Sequence, residues 1–149
     1  MAAGDTKMFN DFVLKDRQGL YSTANDWQLV FLSDTYASVN TDLTNPTSGS
    51  FTVTSGGNVA ASYSLNNESV TRASNVITFD ADGIGTISKD PSNPADVRCA
   101  LLINATVTND AAQVWDMTSD GTTPLDLVNN DFTFNFGASG INTSTNTSA

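Results

Sequence analysis

The chain contains no histidine, a single cysteine (Cys99) and a single glutamate (Glu68). Proton transfer near neutral pH usually relies on a His, a reactive Cys or a matched pair of carboxylates. The first is absent, and the only thiol lies in the apolar run Cys-Ala-Leu-Leu-Ile (99–103). One cysteine excludes an internal disulfide. Basic residues are scarce too: six Lys and Arg face sixteen acidic residues, for a net charge of −10. Lys7, Lys15, Arg17, Arg72, Lys89 and Arg98 are scattered, which disfavours nucleic acid and anionic membranes as partners. No apolar run approaches the ~20 residues of a membrane-spanning helix. The opening Met-Ala-Ala-Gly-Asp-Thr-Lys has neither the basic nor the apolar region of a secretory signal, so synthesis in a cytoplasm is expected.

What is abundant is Thr, Ser and Asn, about a third of the residues, spread between short apolar segments. The length of 149 residues fits one domain over 1–149, and no linker or fixed-period repeat divides it. Residues 5–18 read as the one good helix, with Asp5 or Thr6 as cap, Met8, Phe9, Phe12 and Val13 on one side and Gly19 as stop. The same stretch also permits a short strand at 12–15. Beyond it the pattern is β. Trp27–Ser33 reads as a central strand covered on both faces, Phe51–Thr54 and Val59–Leu65 as arms about a Ser-Gly-Gly turn, and Val76–Asp80 and Ile84–Ile87 as strands about Ala-Asp-Gly. Val97–Val107, Gln113–Met117, Leu125–Val128 and Phe132–Phe136 complete the set, the last with three Phe inward and two polar residues outward. The expected fold is therefore mainly β: a single-domain antiparallel β-sandwich or barrel with one short N-terminal helix. Phe51/Val53, Val76/Phe79, Leu101/Ile103 and Phe132/Phe134/Phe136 are the expected core. Residues 1–18 form an N-terminal arm and helix. The polar tail 140–149 is expected to add nothing to that core.

The chemical motifs are thin. Asp80-Ala-Asp82-Gly83 has a calcium-loop flavour, but the third ligand position falls at Gly85 or later and Glu68 lies upstream, outside any such loop. A tight hairpin turn is the simpler reading. Asp80/Asp82 or Asp126/Asp131 could pair as glycosidase carboxylates, yet Asp-rich turns are commonplace. Cys99 reads as a buried core residue, with Arg98 on the opposite strand face. Trp27 and Tyr63 read as core, and Trp115, beside Asp116, as the aromatic residue to watch for sugar stacking. No catalytic, cofactor-binding or metal-binding residue is expected, and no cofactor.

The order of segments is distinctive: a Phe9-x-x-Phe12 helix, Gly19-Leu20-Tyr21, and Asp-Trp-Gln-Leu-Val-Phe-Leu (26–32). Ala-Ser-Tyr-Ser-Leu (61–65), Val-Ile-Thr-Phe-Asp-Ala-Asp (76–82), the apolar strand 97–103 and Phe-Thr-Phe-Asn-Phe-Gly-Ala-Ser-Gly-Ile (132–141) follow. Over nearly its whole length the chain resembles small structural proteins of tailed bacteriophages that decorate or cement the head. The resemblance implies a β-rich virion protein on the outer capsid surface, bridging capsid subunits and devoid of enzymatic activity. Its implied partners are the major capsid protein and copies of itself, as a homotrimer at local three-fold positions. Docking would use the segments 1–12 and 140–149 as arms. A tail-fibre, receptor-binding or carbohydrate-binding β module is the alternative, and an enzyme such as a lyase or glycosidase the third class.

Overall fold

The structure, a computed structural model, describes residues 5–74, 76–137 and 140–145. It is mainly β, with two antiparallel sheets and one helix. The elements are β1 (Thr6–Met8), α1 (Asn10–Arg17), β2 (Trp27–Leu32), β3 (Tyr63–Ser64), β4 (Ser69–Ala73), β5 (Val76–Asp80), β6 (Cys99–Asn104), β7 (Asp110–Asp116) and β8 (Asn142–Thr145). The larger sheet runs β1-β7-β6-β2-β3 and the smaller β4-β5-β8. Each sheet ends on open edges, so the barrel is not closed.

Every residue of β6 is buried, as are all of β2 except Gln28. These are the uninterrupted apolar runs, and a strand buried on both faces needs no polar alternation. Opposed residues share a face. One face of the large sheet carries Trp27, Leu29, Phe31, Leu102 and Trp115 and is covered by α1 and the C-terminal phenylalanine segment. The other carries Leu101, Cys99 and Val114 and lies beneath the segment 34–51. There Cys99 Sγ donates to the Asp34 carbonyl, Lys7 Nζ sits 4.3 Å from the Tyr36 ring centroid, and Phe51 meets Phe9. The small sheet joins the first face through Trp27 and Phe79, whose ring centroids are 5.2 Å apart.

Several expectations need correction. The helix begins at Asn10 and not near Asp5, because β1 is drawn into the large sheet opposite Gln113–Trp115. Phe9, fully buried, is the residue preceding the first turn and has extended backbone. Gly19, at φ +73°, ends the helix as expected, and no strand forms at 12–15. The segments around 51–54, 84–87 and 125–128 reduce to single bridges, and 59–65 keeps only β3. Phe132–Phe136 is not a regular strand either, although its burial alternates as expected: Phe134 is buried, Phe132 and Phe136 half-buried, and Thr133 and Asn135 exposed. Its rings satisfy one another, with Phe134 and Phe136 centroids 5.2 Å apart and both 5.7 Å from Trp115.

Asp82-Gly83 does not close a hairpin, since β5 pairs with β4 and β8. Gly83 is there for close approach, because a Cβ at this position would run into the Phe134 carbonyl oxygen. Of the expected core, Leu101, Ile103 and Phe134 are buried, Phe51 and Phe79 pack against it, and Val53 is exposed.

The tail departs furthest from expectation. Ile141 is buried at 3% exposure, and Asn142–Thr145 pair with β5 as an edge strand. Gln113 Nε2, buried beneath them, donates to both the Ile141 carbonyl and Thr6 Oγ1. The described parts of both terminal segments are therefore built into the domain, as β1 and the start of α1 at one end and β8 at the other, and are not free arms. Residues 1–4 and 146–149 of those segments lie outside the described residues.

Candidate functional site

The sequence candidates for chemistry are dispersed, some into local turns and others into hydrogen bonds between loops. Asp80 Oδ1 accepts from the Ala81 N–H, and Asp82 Oδ2 from the Asn67 side chain at 2.6 Å. Asp126 accepts from Val128 N–H and Asn129 Nδ2, and the Asn129 hydrogen bond in particular holds its carboxyl below the usual range. Asp131 accepts from Lys89 N–H. Asp120 is held lower still, by hydrogen bonds from the backbone and hydroxyls of Thr123 and Thr122. Carboxylates engaged in this way organise loops. Among the described residues no group of three or more acidic or thiol side chains is placed to hold a metal.

Cys99 is fully buried. Burial first, then the Asp116 and Asp34 charges, push its thiol up to about 12, the opposite of the activation a nucleophile needs. Arg98 points away from it to Asp96, 2.7 Å distant, and to the Thr122 carbonyl. Trp27 is core, donating through Nε1 to the Ser22 carbonyl. Tyr63 is half-buried, its hydroxyl donating to the Asn58 carbonyl and accepting from Ala60 N–H. Trp115 is half-buried against Phe134 and Phe136.

The most conspicuous surface feature is one the sequence reading did not find. Between α1 and the small sheet runs a groove of about 630 Å³. Its floor is a chain of rings. Phe12 stacks on Tyr21 at 5.2 Å, Tyr21 meets Trp27 edge-on at 5.6 Å, and Trp27 meets Phe79. Its walls are Met8, Val13, Val70 and Ile77, which are 43%, 37%, 57% and 46% exposed. Most large apolar side chains left in water are thus gathered in one place, whereas exposed apolar residues are ordinarily scattered singly. Val70 and Ile77 lie on one face of the small sheet, since Val70 opposes Phe79 and Arg72 opposes Ile77.

Both terminal strands reach this groove. Met8 is the last residue of β1, and Asn142 and Thr143 of β8 complete the lining. Asp16 and Arg17 at the end of α1 supply one charge of each sign. The helix wall is held rigidly. Lys15 contacts Asp11 and Asp110, and the Tyr21 hydroxyl donates to the same Asp110 carboxylate at 3.1 Å. Burial, and then the Asp110 charge, push the Tyr21 phenol well above its ordinary range, so it stays a neutral donor.

The signal for the groove in the sequence is faint. It amounts to Val70 inside the otherwise polar Glu-Ser-Val-Thr-Arg and Ile77 out of phase with Val76 and Phe79. An aromatic floor with walls that mix apolar and polar side chains, and no convergent acid–base pair, suits the docking of a protein surface. Comparison with protein families, with curated proteins and with solved structures finds no match to this chain.

Proposed function

We propose that this chain is a structural virion protein that decorates the outer surface of a bacteriophage head and bridges capsid subunits. The single observation that carries the reading is the groove. In a chain whose candidate carboxylates Asp80, Asp82, Asp126 and Asp131 are engaged in hydrogen bonds, Met8, Val13, Val70 and Ile77 are left in water on one concave surface. Burying them is the largest favourable term available to the molecule for attachment. The order of its segments, which resembles that of small head-decorating proteins, suggests the biological setting.

The partner is the major capsid protein, offering an apolar ridge flanked by neutral or basic residues. The net charge of −10 repels acidic surfaces and steers basic ones into encounter. Nothing in this reading requires a cofactor or a catalytic group.

The test is to mix the purified protein with undecorated heads and image the particles. Many copies distributed over the shell are expected for the wild type. Val70→Asp and Ile77→Asp should abolish decoration while leaving the circular dichroism spectrum unchanged. A few copies at a tail tip, or full decoration by both variants, would overturn the proposal in favour of a receptor-binding module or of another surface.

A further inference from the structure

Strand β4 is an edge of the small sheet. Of its five residues only Ser69 is partly covered, and Val70, Thr71, Arg72 and Ala73 are exposed. Exposed edges are normally blunted by a proline, an inward charge or a bulge. β4 has no proline, and its five-residue register with β5 is unbroken. The one charge in the strand, Arg72, lies on the same face as Val70 and Ile77, and the sequence at this edge is unusual. Residues 68–72 read Glu-Ser-Val-Thr-Arg and contain the chain's only glutamate.

Laid antiparallel against itself about Val70, this segment is self-complementary. Glu68 falls opposite Arg72 of the second copy, Ser69 opposite Thr71, and Val70 opposite Val70. The remaining two pairs repeat the first two by symmetry. Opposite charges, paired hydroxyls and paired β-branched side chains are the favourable cross-strand combinations. One such coincidence is ordinary, but here all the pairs across residues 68–72 agree, four of those residues belonging to β4 and Glu68 immediately preceding it.

We propose that β4 is a self-association edge, at which two copies of this chain pair antiparallel through residues 68–72 and join their three-stranded sheets into one of six strands. Among the described residues neither Glu68 nor Arg72 forms an ion pair within its own chain. Arg72 Nε donates to the Ser74 carbonyl, which holds the guanidinium beside the strand. In the paired form each Glu68 meets the Arg72 of the other copy, and the exposed Val70 side chains cover each other.

The contact is isologous, the same patch on both copies, and it closes as a dimer. Three-fold association, as the resemblance to head-decorating proteins implies, needs a second and heterologous surface. The inference stands on the strand itself and not on capsid attachment, so either can fail without the other. Both copies are strongly acidic. Pairing therefore works against long-range repulsion that salt screens, and the dimer should strengthen as salt is added from a low-salt buffer.

The experiment is sedimentation equilibrium of the full chain at low and moderate salt, with circular dichroism to verify folding. The wild type should show a concentration-dependent dimer. Glu68→Arg sets Arg against Arg at both symmetry-related positions and should weaken dimerisation roughly tenfold. It also makes the chain less acidic, which on its own would favour association, so weakening cannot come from overall charge. Arg72→Glu should weaken it likewise. The double exchange Glu68→Arg with Arg72→Glu preserves net charge, restores both pairs and should restore the dimer. A monomer at millimolar concentration and moderate salt, or an oligomer unaffected by either single substitution, overturns the proposal. So does a double exchange that fails to rescue the dimer while remaining folded.

Discussion

Lys15 Nζ lies 2.6 Å from Oδ2 of Asp110, a residue ninety-five positions away, and this contact joins the helix to strand β7. Both side chains are largely buried, and Asp11, one turn earlier on the helix, closes the other side at 2.9 Å. Desolvation, the largest single influence on the ammonium, pushes its pKa down. The hydrogen bonds and charges of Asp110 and Asp11 outweigh it, and the net shift is upward. Replacing Asp110 by Asn should cost about 1.5–3 kcal/mol, the range for a hydrogen bond to a charged group. Urea denaturation measures it, and a loss within a few tenths of a kcal/mol would show the helix to be held by Phe9 and Phe12 alone.

Removal of the tail should destabilise the domain. Truncation after Gly140 deletes buried Ile141, strips β5 of one neighbour and takes away an acceptor of Gln113. Ile141→Ala alone should cost about 2–5 kcal/mol by lost burial and the cavity left behind. The measurement is the urea midpoint at constant slope. An unchanged midpoint would mean the tail is dispensable to the core.

Phe134→Ala should cost about 3–5 kcal/mol. The ring is buried and meets Trp115 and Phe136 edge-on. Its loss should also change the Trp115 fluorescence of the native state, which distinguishes local unpacking from a general loss of stability.

Alkaline pH should weaken the fold through protons that the native state holds too tightly. Cys99 rises from 9.0 to about 12, chiefly by burial. Tyr36 rises from 10.0 to about 12, again chiefly by burial and then by Asp5 and Asp116. Groups whose folded pKa is raised contribute their stability fully below the unfolded value and lose it as pH climbs towards the folded one. The urea midpoint should therefore be unaffected by these groups below about pH 9 and fall progressively towards pH 12. A midpoint that holds or rises across that window would contradict the assignment. At neutral pH the thiol should resist labelling until urea unfolds the chain.

Strands β2 and β6 are legible in the sequence because a buried strand needs a mainly apolar run, and Trp27–Leu32 and Cys99–Asn104 supply one; β5 is legible from its β-branched and aromatic residues, although none of them is fully buried. The alternating burial of Phe132–Phe136 is legible from its period-two pattern, although its backbone never joins a regular ladder. β1 is not legible. Thr6–Met8 carries a helical periodicity that its pairing with β7 overrides. β4 is hidden because Val70 is its only large apolar residue and four of its five residues are exposed. The groove is hidden because it exists only where α1 and the small sheet come together, and no local pattern encodes that distance. The polarity of 140–149 is misleading in a different way. A single Ile anchors the segment, and backbone pairing is indifferent to the Thr and Ser that follow.

The placement of β1 has a kinetic consequence. Its only neighbour in the sheet is β7, so Thr6–Met8 cannot pair until residues 113–115 have left the ribosome. The acceptors for Gln113 likewise come from opposite ends of the described chain, at Thr6 and Ile141. Loop closure on this scale precedes any reward from packing, and folds dominated by such distant pairings reach the native state in milliseconds to seconds. During synthesis the strand that opens the chain therefore waits, and the large sheet acquires its last edge only after its centre has formed.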